Sequence, residues 1–320
     1  MAKLVLLTVL LGAAAIPHSG SRTGAGLEAP RLWTPASLST PMYEASPAFS
    51  ADGKELFYMQ ADRAFSQYRL REVRCVDGAW TVPREPGFAA PAGMHDADPF
   101  VTPDGNRLLF VSTRHRFHEV GNEDFDIFEV ARLADGGWGT PHRLPAPVNS
   151  PASELLPRMD DLGNLYFGSS RAGGKGGSDI YRASASGDAW TIENVAAVNT
   201  PANEYEADVS PDGRRLAVVS DRAVRSRIFL YWHDDSGSWI PQGRVQAREE
   251  VFQVGPRFSP DGRRLLFAQD AGDSSGEIFV VDIAEDPDRA WPPACARAPA
   301  LRPDTGPMSR LPSWPGGKKA

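Results

Sequence analysis

The chain has 320 residues, and its 34 lysines and arginines against 41 aspartates and glutamates give a formal net charge of −7. This balance excludes the concentrated basic face that phosphate binding needs, and with it a nucleic-acid protein. Hydrophobic residues at 41% and charged residues at 23% suit a globular chain with a buried core, while 30 glycines and 28 prolines favour many short strands over long helices.

At the N-terminus, Lys3 precedes an apolar run from Leu4 to Ile16 that is too short to cross a bilayer as a helix. With the small residues Ala13, Ala14 and Ala15, it reads as an export signal. We expect residues 1–15 to be a signal peptide, 16–30 a flexible leader, and the mature chain to be periplasmic or secreted, with no membrane span. Cys75 and Cys295 are too few for a disulfide scaffold or a thiolate zinc site. An oxidising compartment allows one bridge between them; two separate thiols are the alternative.

The dominant pattern from there on is a repeat. SADGKELFY at 50–58, TPDGNRLLF at 102–110, DDLGNLYF at 160–167, SPDGRRLAV at 210–218 and SPDGRRLLF at 259–267 align on Gly53, Gly105, Gly163, Gly213 and Gly262. The third copy is degenerate, with Leu162 where the others carry Asp. Each glycine is followed by a tryptophan: Trp80, Trp138, Trp190, Trp239 and Trp291. Between them lie short cores such as Asp126-Ile127-Phe128 and Asp179-Ile180-Tyr181, with only a loose match around Tyr68 in the first copy.

Pro and Gly in the turn pre-set a tight hairpin joining a first strand to a second. Second strands such as Arg215-Leu216-Ala217-Val218-Val219 are continuously apolar, so both faces are expected to be buried between neighbouring sheets. The third strand carries Ile-Phe or Ile-Tyr and the fourth carries Trp. Four short antiparallel strands per module of about 50 residues, packed face to face around an axis, make an all-β propeller. The copies favour five blades, with six as the alternative, and residues 31–296 form one domain ahead of a Pro-rich basic tail at 297–320. Trp33, Pro35 and Leu38 read as a strand that closes the ring on the last blade.

The Ser-Pro-Asp-Gly-x-x-Leu turn, the Ser-x-Arg after it and the later Asp-Ile-Tyr/Phe resemble the WD40-like propeller repeat of the Pro-Asp type, found in the TolB propeller. The resemblance spans roughly residues 30–296 and implies a propeller; for function it suggests an exported, non-enzymatic module that binds protein or acts as a scaffold in the bacterial envelope.

Nine residues before each glycine stand Glu44, Asp96, Glu154 and Glu204, with Gln253 in the fifth copy, and Asp98 and Glu206 thicken the same band. At the start of the innermost strands they are candidates for an acidic channel mouth that takes a cation or a basic partner. The competing reading is that each acid caps its own loop or pairs with a neighbouring blade. His95, beside Asp96, is a candidate for acid–base work at the same mouth. Arg63, Arg114, Arg171 and Arg222 follow the second strands; pairing with a carboxylate on the next blade is expected, with Asp126 and Asp179 as partners.

His115 and His118, near Glu119, Glu123 and Asp124, are a weak candidate for a divalent cation; no other cofactor is expected. The Gly173–Ser178 segment lacks the spacing and the following helix of a phosphate loop and reads as a hairpin loop. No GxSxG, HExxH or Cys-His signature is present. The expected state is a monomer with a protein partner, and the alternative function is a small-molecule or metal-binding enzyme or sensor at the acidic mouth.

Overall fold

The computed structural model describes residues 29–114, 124–187, 189–247, 250–271 and 276–295. The export-signal, leader and tail assignments, and the His115/His118 candidate, lie outside the described residues, apart from the leader's last residues, Ala29 and Pro30. Among the described residues every element is a strand, and no helix is long and apolar enough to cross a membrane.

The repeat copies fold as four-stranded antiparallel modules. The first comprises β2 (Tyr43–Phe49), β3 (Glu55–Ala61), β4 (Tyr68–Val76) and β5 (Ala79–Trp80). The second comprises β6 (Asp96–Val101), β7 (Arg107–Ser112), β8 (Asp126–Ala131) and β9 (His142–Arg143); the third, β10 (Glu154–Met159), β11 (Leu165–Ser169), β12 (Asp179–Ser186) and β13 (Ala189–Asn194). The fourth comprises β14 (Glu204–Val209), β15 (Arg215–Ser220), β16 (Arg227–His233) and β17 (Trp239–Arg244), and the last has β18 (Gln253–Phe258), β19 (Arg264–Asp270) and β20 (Gly276–Asp282). Its fourth strand is β1 (Arg31–Leu32), which pairs antiparallel with β20 through Arg31 opposite Val280 and Leu32 opposite Phe279.

First strands pack on one another in a ring: β2 on β6, β6 on β10, β10 on β14, β14 on β18, and β18 back on β2. The seam is also bridged by a parallel pair, Tyr43 with Gly276. Past β1, Trp33 and Thr34 donate their amides to Ile278 O at 2.8 and 3.1 Å, covering the edge of β20 that water or another chain would otherwise pair with. Cys75 and Cys295 are joined in a disulfide, with Cα atoms 5.3 Å apart and 220 residues between them in sequence. The segment after β20 is thereby held on the first module.

The turn chemistry explains the hairpins. In the fourth copy, Ser210 Oγ donates to Asp212 Oδ1 at 2.5 Å, the Arg214 amide donates to the same oxygen at 3.1 Å, and Gly213 sits at φ +68°. A side chain at that left-handed position is disfavoured, so glycine recurs there. The degenerate third copy solves the loss of its aspartate with Asp160, which stands in the serine position. Its Oδ1 accepts the Leu162 and Asn164 amides at 3.0 and 2.8 Å, the work that serine and aspartate share elsewhere.

Second strands are buried on both faces as expected: the neighbours Leu108 and Leu109, Leu165 and Tyr166, Leu216 and Ala217, and Leu265 and Leu266, which point to opposite faces, are all sealed from solvent. One apolar cluster runs through every module around the axis, and smaller clusters fill the spaces between sheets farther out. Four of the repeated tryptophans, Trp80, Trp138, Trp239 and Trp291, belong to these outer clusters while Trp190 packs on the axial one, and two of the five are not in fourth strands. Trp138 makes only an isolated bridge with Arg132, and Trp291 is buried beyond β20, because β1 already occupies the place its strand would take.

Candidate functional site

The repeated first-strand acids are buried and serve their own modules. Glu154 accepts the Ser150 amide at 3.1 Å and hydroxyls from Ser150 and Ser169 at 2.5 and 2.9 Å, and pairs with Arg171 Nη2 at 3.1 Å. Glu204 accepts the Thr200 amide and hydroxyl at 2.6 and 2.8 Å and the Ser220 hydroxyl at 2.5 Å. Asp96 takes the Ala90 amide at 2.6 Å and pairs with Arg114 at 2.9 Å. Glu44 accepts the Thr40 hydroxyl and the Gln60 amide, the latter at 3.0 Å, but no arginine among the described residues pairs with it; burial pushes its pKa from 4.5 up to about 7, against those two bonds. The geometry corrects the expected arginine partners. Arg114 and Arg171 pair with the first-strand acid of their own module, while Asp126 pairs with Arg143 at 2.6 Å and Asp179 accepts the Lys175 and Gly176 amides at 2.6 and 2.9 Å. Arg222 instead lies over the Phe229 ring at 3.5 Å and donates to the Tyr231 hydroxyl at 2.7 Å.

A second recurring feature escaped the sequence reading. Thr40-Pro41, Ser150-Pro151 and Thr200-Pro201 each stand four residues before the acid, and in all three the hydroxyl donates to the carboxylate. Asn149 and Asn199, one residue earlier, accept the amides of Ile127 and Ile180 at 2.7 and 2.8 Å and return a bond to the same residues' carbonyls. The repeated Val-Asn-Ser/Thr-Pro-x-x-Glu at 148–154 and 198–204 is the signal that reveals this anchor. The glycine-rich loop is tied down too, by Lys175 Nζ on Ala196 O at 2.6 Å.

Two residues beyond each acid, the first strand bulges. Ser46, Asp98, Leu156 and Gly255 all have φ between 46° and 61°, and the pairing register with the second strand slips at each of these places, as it does between Glu204 and Glu206. A bulge re-aims a side chain, here toward neighbouring first strands. Asp98 accepts the Ser46 hydroxyl at 2.9 Å and the Leu156 amide at 3.1 Å, and Glu206 Oε2 accepts the Gly255 amide at 2.7 Å. Gly255 lies so close to Ser46 that a Cβ there would stand 2.8 Å from its amide nitrogen. Asp98 and Glu206 are thus brought together with groups from every first strand.

Beside them, fully buried Arg158 lies 3.6 Å from Asp208, which Arg257 approaches at the same distance, and Phe100 stacks under both guanidiniums at 5.7 and 4.6 Å. Burial and then the Asp98 charge push Glu206 from 4.5 up to about 8, against the Gly255 amide and Arg158. Burial likewise raises Asp98 and Asp208 and lowers Arg158 to about 10. Among the described residues no group of three or more His, Cys, Asp or Glu is placed to hold a metal.

The end where the first strands begin carries a collar of aromatics, half-buried except for the buried Tyr43. Phe65 lies 4.9 Å from Tyr43 and 5.7 Å from Phe252, ring centre to ring centre, and Tyr68 lies 5.7 Å from both His95 and Phe125. His95 is therefore in this collar, its Nδ1 accepting the Tyr68 amide at 3.3 Å, whereas the neighbouring Asp96 points into its own module's loop.

Four-stranded antiparallel sheets whose first strands ring an axis define a β-propeller. A structure from Agrobacterium tumefaciens described as a TolB is similar with a TM-score of 0.50 at 18% identity, over 77% of this chain and 79% of that one. A gluconolactonase from Xanthomonas campestris gives 0.44 at 12% identity over 81% of this chain and 96% of its own. A puromycin-hydrolysing peptidase from Mycobacterium tuberculosis gives 0.43 at 18% identity over 78% of this chain, which spans 38% of that protein. No protein-family model matches the chain, and no curated protein matches it. At these identities the likeness concerns the fold.

Proposed function

We propose that this is an exported, five-bladed β-propeller of the Pro-Asp repeat type, over residues 31–296, that binds a protein partner through the mouth where its first strands begin. The observation that carries the reading is the aromatic collar of Tyr43, Phe65, Tyr68, His95, Phe125 and Phe252, drawn from three modules to one end of the axis. All of these but the buried Tyr43 stay partly exposed, and aromatic rings left so at the mouth of a rigid scaffold are the residues that anchor partners. The repeated acids and arginines support the same view from the other side, since they are spent on holding loops. Export is supported by the Cys75–Cys295 disulfide, which belongs to an oxidising compartment, and by the signal-like run at 1–15.

A second reading, a small-molecule sensor at the same mouth, draws on the Asp98–Glu206 pair beneath the collar. Crosslinking capture of the signal-free protein from its own cell envelope, with a Phe65→Ala/Tyr68→Ala variant of unchanged melting temperature beside it, tests the binding module. A saturable partner lost in the variant is the expected result. A partner retained in full removes the mouth as the contact face, and capture of nothing saturable overturns the protein-binding reading in favour of the second.

A further inference from the structure

The mouth has a chemical preference that follows from what lies under the collar. Tyr43, Phe65 and Phe252 form a triad, with Tyr43 and Phe252 6.4 Å apart and the rings tilted 56° to 74° to one another. Phe65 holds a left-handed backbone, φ 52°, that a bulky residue avoids. Its loop imposes it: Asp62 accepts the Ser66 and Gln67 amides at 2.7 and 3.1 Å and the Ser66 hydroxyl at 2.6 Å, and the Phe65 amide closes a turn onto Asp62 O at 3.0 Å. A strained aromatic fixed by its surroundings is a mark of a working position.

Beneath the triad two polar atoms are unspent. The Tyr43 hydroxyl is buried, with the residue 4% exposed, and has no hydrogen-bond partner among the described residues. Glu206, 9% exposed, uses Oε2 on the Gly255 amide, and among the described residues no hydrogen bond forms to Oε1. Tyr43 and Glu206 feel one another's field, and the groups acting on the pair are Asp98 on β6, Arg158 on β10, Tyr205 on β14 and Asp270 at the end of β19. Three carboxylates, Asp98, Glu206 and Asp208, face two guanidiniums, Arg158 and Arg257, and both guanidiniums approach Asp208. With Asp270, which acts on Tyr43 more strongly than Glu206 does, four carboxylates stand against two guanidiniums, so with every group ionised negative charge is in excess around Tyr43.

We propose that the Tyr43–Phe65–Phe252 triad over Glu206 is a binding site for an alkylammonium group, with Glu206 Oε1 as its counter-ion, the Tyr43 hydroxyl as a further hydrogen-bond partner and the ring faces as its cation–π wall. This rests on the reading of the mouth as the binding face and names what that face recognises. A compact cation fits, because it offsets the excess negative charge and gains from the rings. A guanidinium wants both oxygens of a carboxylate, and one oxygen of Glu206 is taken. A hard divalent ion wants about six oxygen ligands, and the wall is mostly carbon.

Calorimetric titration of the mature chain with n-butylammonium chloride, against 1-pentanol as the uncharged isostere and sodium chloride as the ionic control, tests the site. Saturable binding of the ammonium alone is expected. Because the ion needs Glu206 ionised, affinity is expected to rise about tenfold from pH 7 to pH 9, around the Glu206 value of about 8. Phe65→Ala weakens binding at every pH. Glu206→Gln abolishes it in a protein that melts no lower than the parent at pH 9, so that the loss is not unfolding. Equal binding of pentanol, binding unchanged in Glu206→Gln, or no saturable binding at any pH overturns the proposal. If the ammonium fails while partner capture still depends on Phe65 and Tyr68, the chemistry is wrong and the mouth reading stands. An acetylated, amidated Ala-Lys-Ala peptide in a parallel titration assigns the source: tighter binding than butylammonium places the group on a protein chain, weaker binding on a free amine, and either upholds the alkylammonium chemistry.

Discussion

Arg114 Nη2 lies 2.9 and 3.0 Å from the two carboxylate oxygens of Asp96, eighteen residues earlier in the same module, while its Nη1 donates to Phe88 O at 3.2 Å. Arg171 repeats the arrangement on Glu154 and the Val148 carbonyl. One guanidinium thus ties the end of the second strand to the start of the first and to the incoming loop, with its face over the Phe110 and Phe128 rings at 5.0 and 5.3 Å.

Replacing Arg171 by Met leaves Glu154 as a buried carboxylate without its cation. A loss of about 3 kcal/mol is expected, because the orphaned charge keeps its desolvation cost. The double variant Arg171→Met/Glu154→Gln is expected to recover most of it. Urea unfolding followed by tryptophan fluorescence measures both; a single variant within about 0.5 kcal/mol of the parent would contradict the role.

Stability is expected to fall as pH rises through neutrality. Glu44 and Glu206 have folded values of about 7 and about 8 against 4.5 for the free side chain. Between those values the folded chain holds more protons than the unfolded one, so their contribution is complete below 4.5 and is lost as pH climbs through 7 and 8. Asp52 and Asp104, lowered first of all by the Ser50 and Thr102 hydroxyls, act oppositely and lose their contribution only as pH falls below their usual carboxylate range. Glu206→Gln should flatten the alkaline decline in a series of thermal melts from pH 5 to pH 9.

Reducing the Cys75–Cys295 bridge, or replacing both residues by Ser, frees the segment that lies on Gly53, where a Cβ would stand 2.8 Å from Pro293. A loss of about 2–5 kcal/mol is expected for a bridge closing so long a loop. Melting with and without dithiothreitol checks it, and the Ser variant should be insensitive to the reductant.

The closing strand gives a different kind of test. Thr34 Oγ1 accepts the Ile278 amide at 2.6 Å and donates to the Ile278 carbonyl at 3.3 Å. Thr34→Val should cost about 1–2 kcal/mol for the stranded amide. Removing residues 1–34 altogether bares the edge of β20, and self-association through that edge should appear in size-exclusion chromatography.

Much of this was legible in the residues. The turn glycines, the doubly buried second strands and the existence of a closing strand follow from local rules: φ near +65° admits glycine, a continuous apolar run needs two covers, and a leftover edge needs a partner. That strand falls at Arg31–Leu32, ahead of the expected Trp33, Pro35 and Leu38, and the Leu38 amide instead closes a turn onto Pro35 O. The position of the acids was legible as well, but their work was not. Spacing along a strand cannot tell whether a carboxylate faces a channel or its own loop, and Asp96 and Glu154 turned out to meet Arg114 and Arg171 of their own modules instead of a neighbour. The Thr/Ser-Pro caps would have indicated it.

By itself the sequence determined the repeated unit, because hairpin turns, strand periodicity and caps are decided within a few residues of each other. Only the tertiary structure decided the axis. Asp98 and Arg158 are 60 residues apart and Arg158 and Glu206 are 48 apart, and the three meet because bulges at Ser46, Asp98, Leu156 and Gly255 turn their strands inward. Tyr43, Phe65 and Phe252 likewise converge only when the last module closes on the first. Neither cluster has a local signature, since Asp98, Arg158 and Glu206 come from three modules, Phe252 joins Tyr43 and Phe65 from the far end of the chain, and each gains its surroundings from the ring.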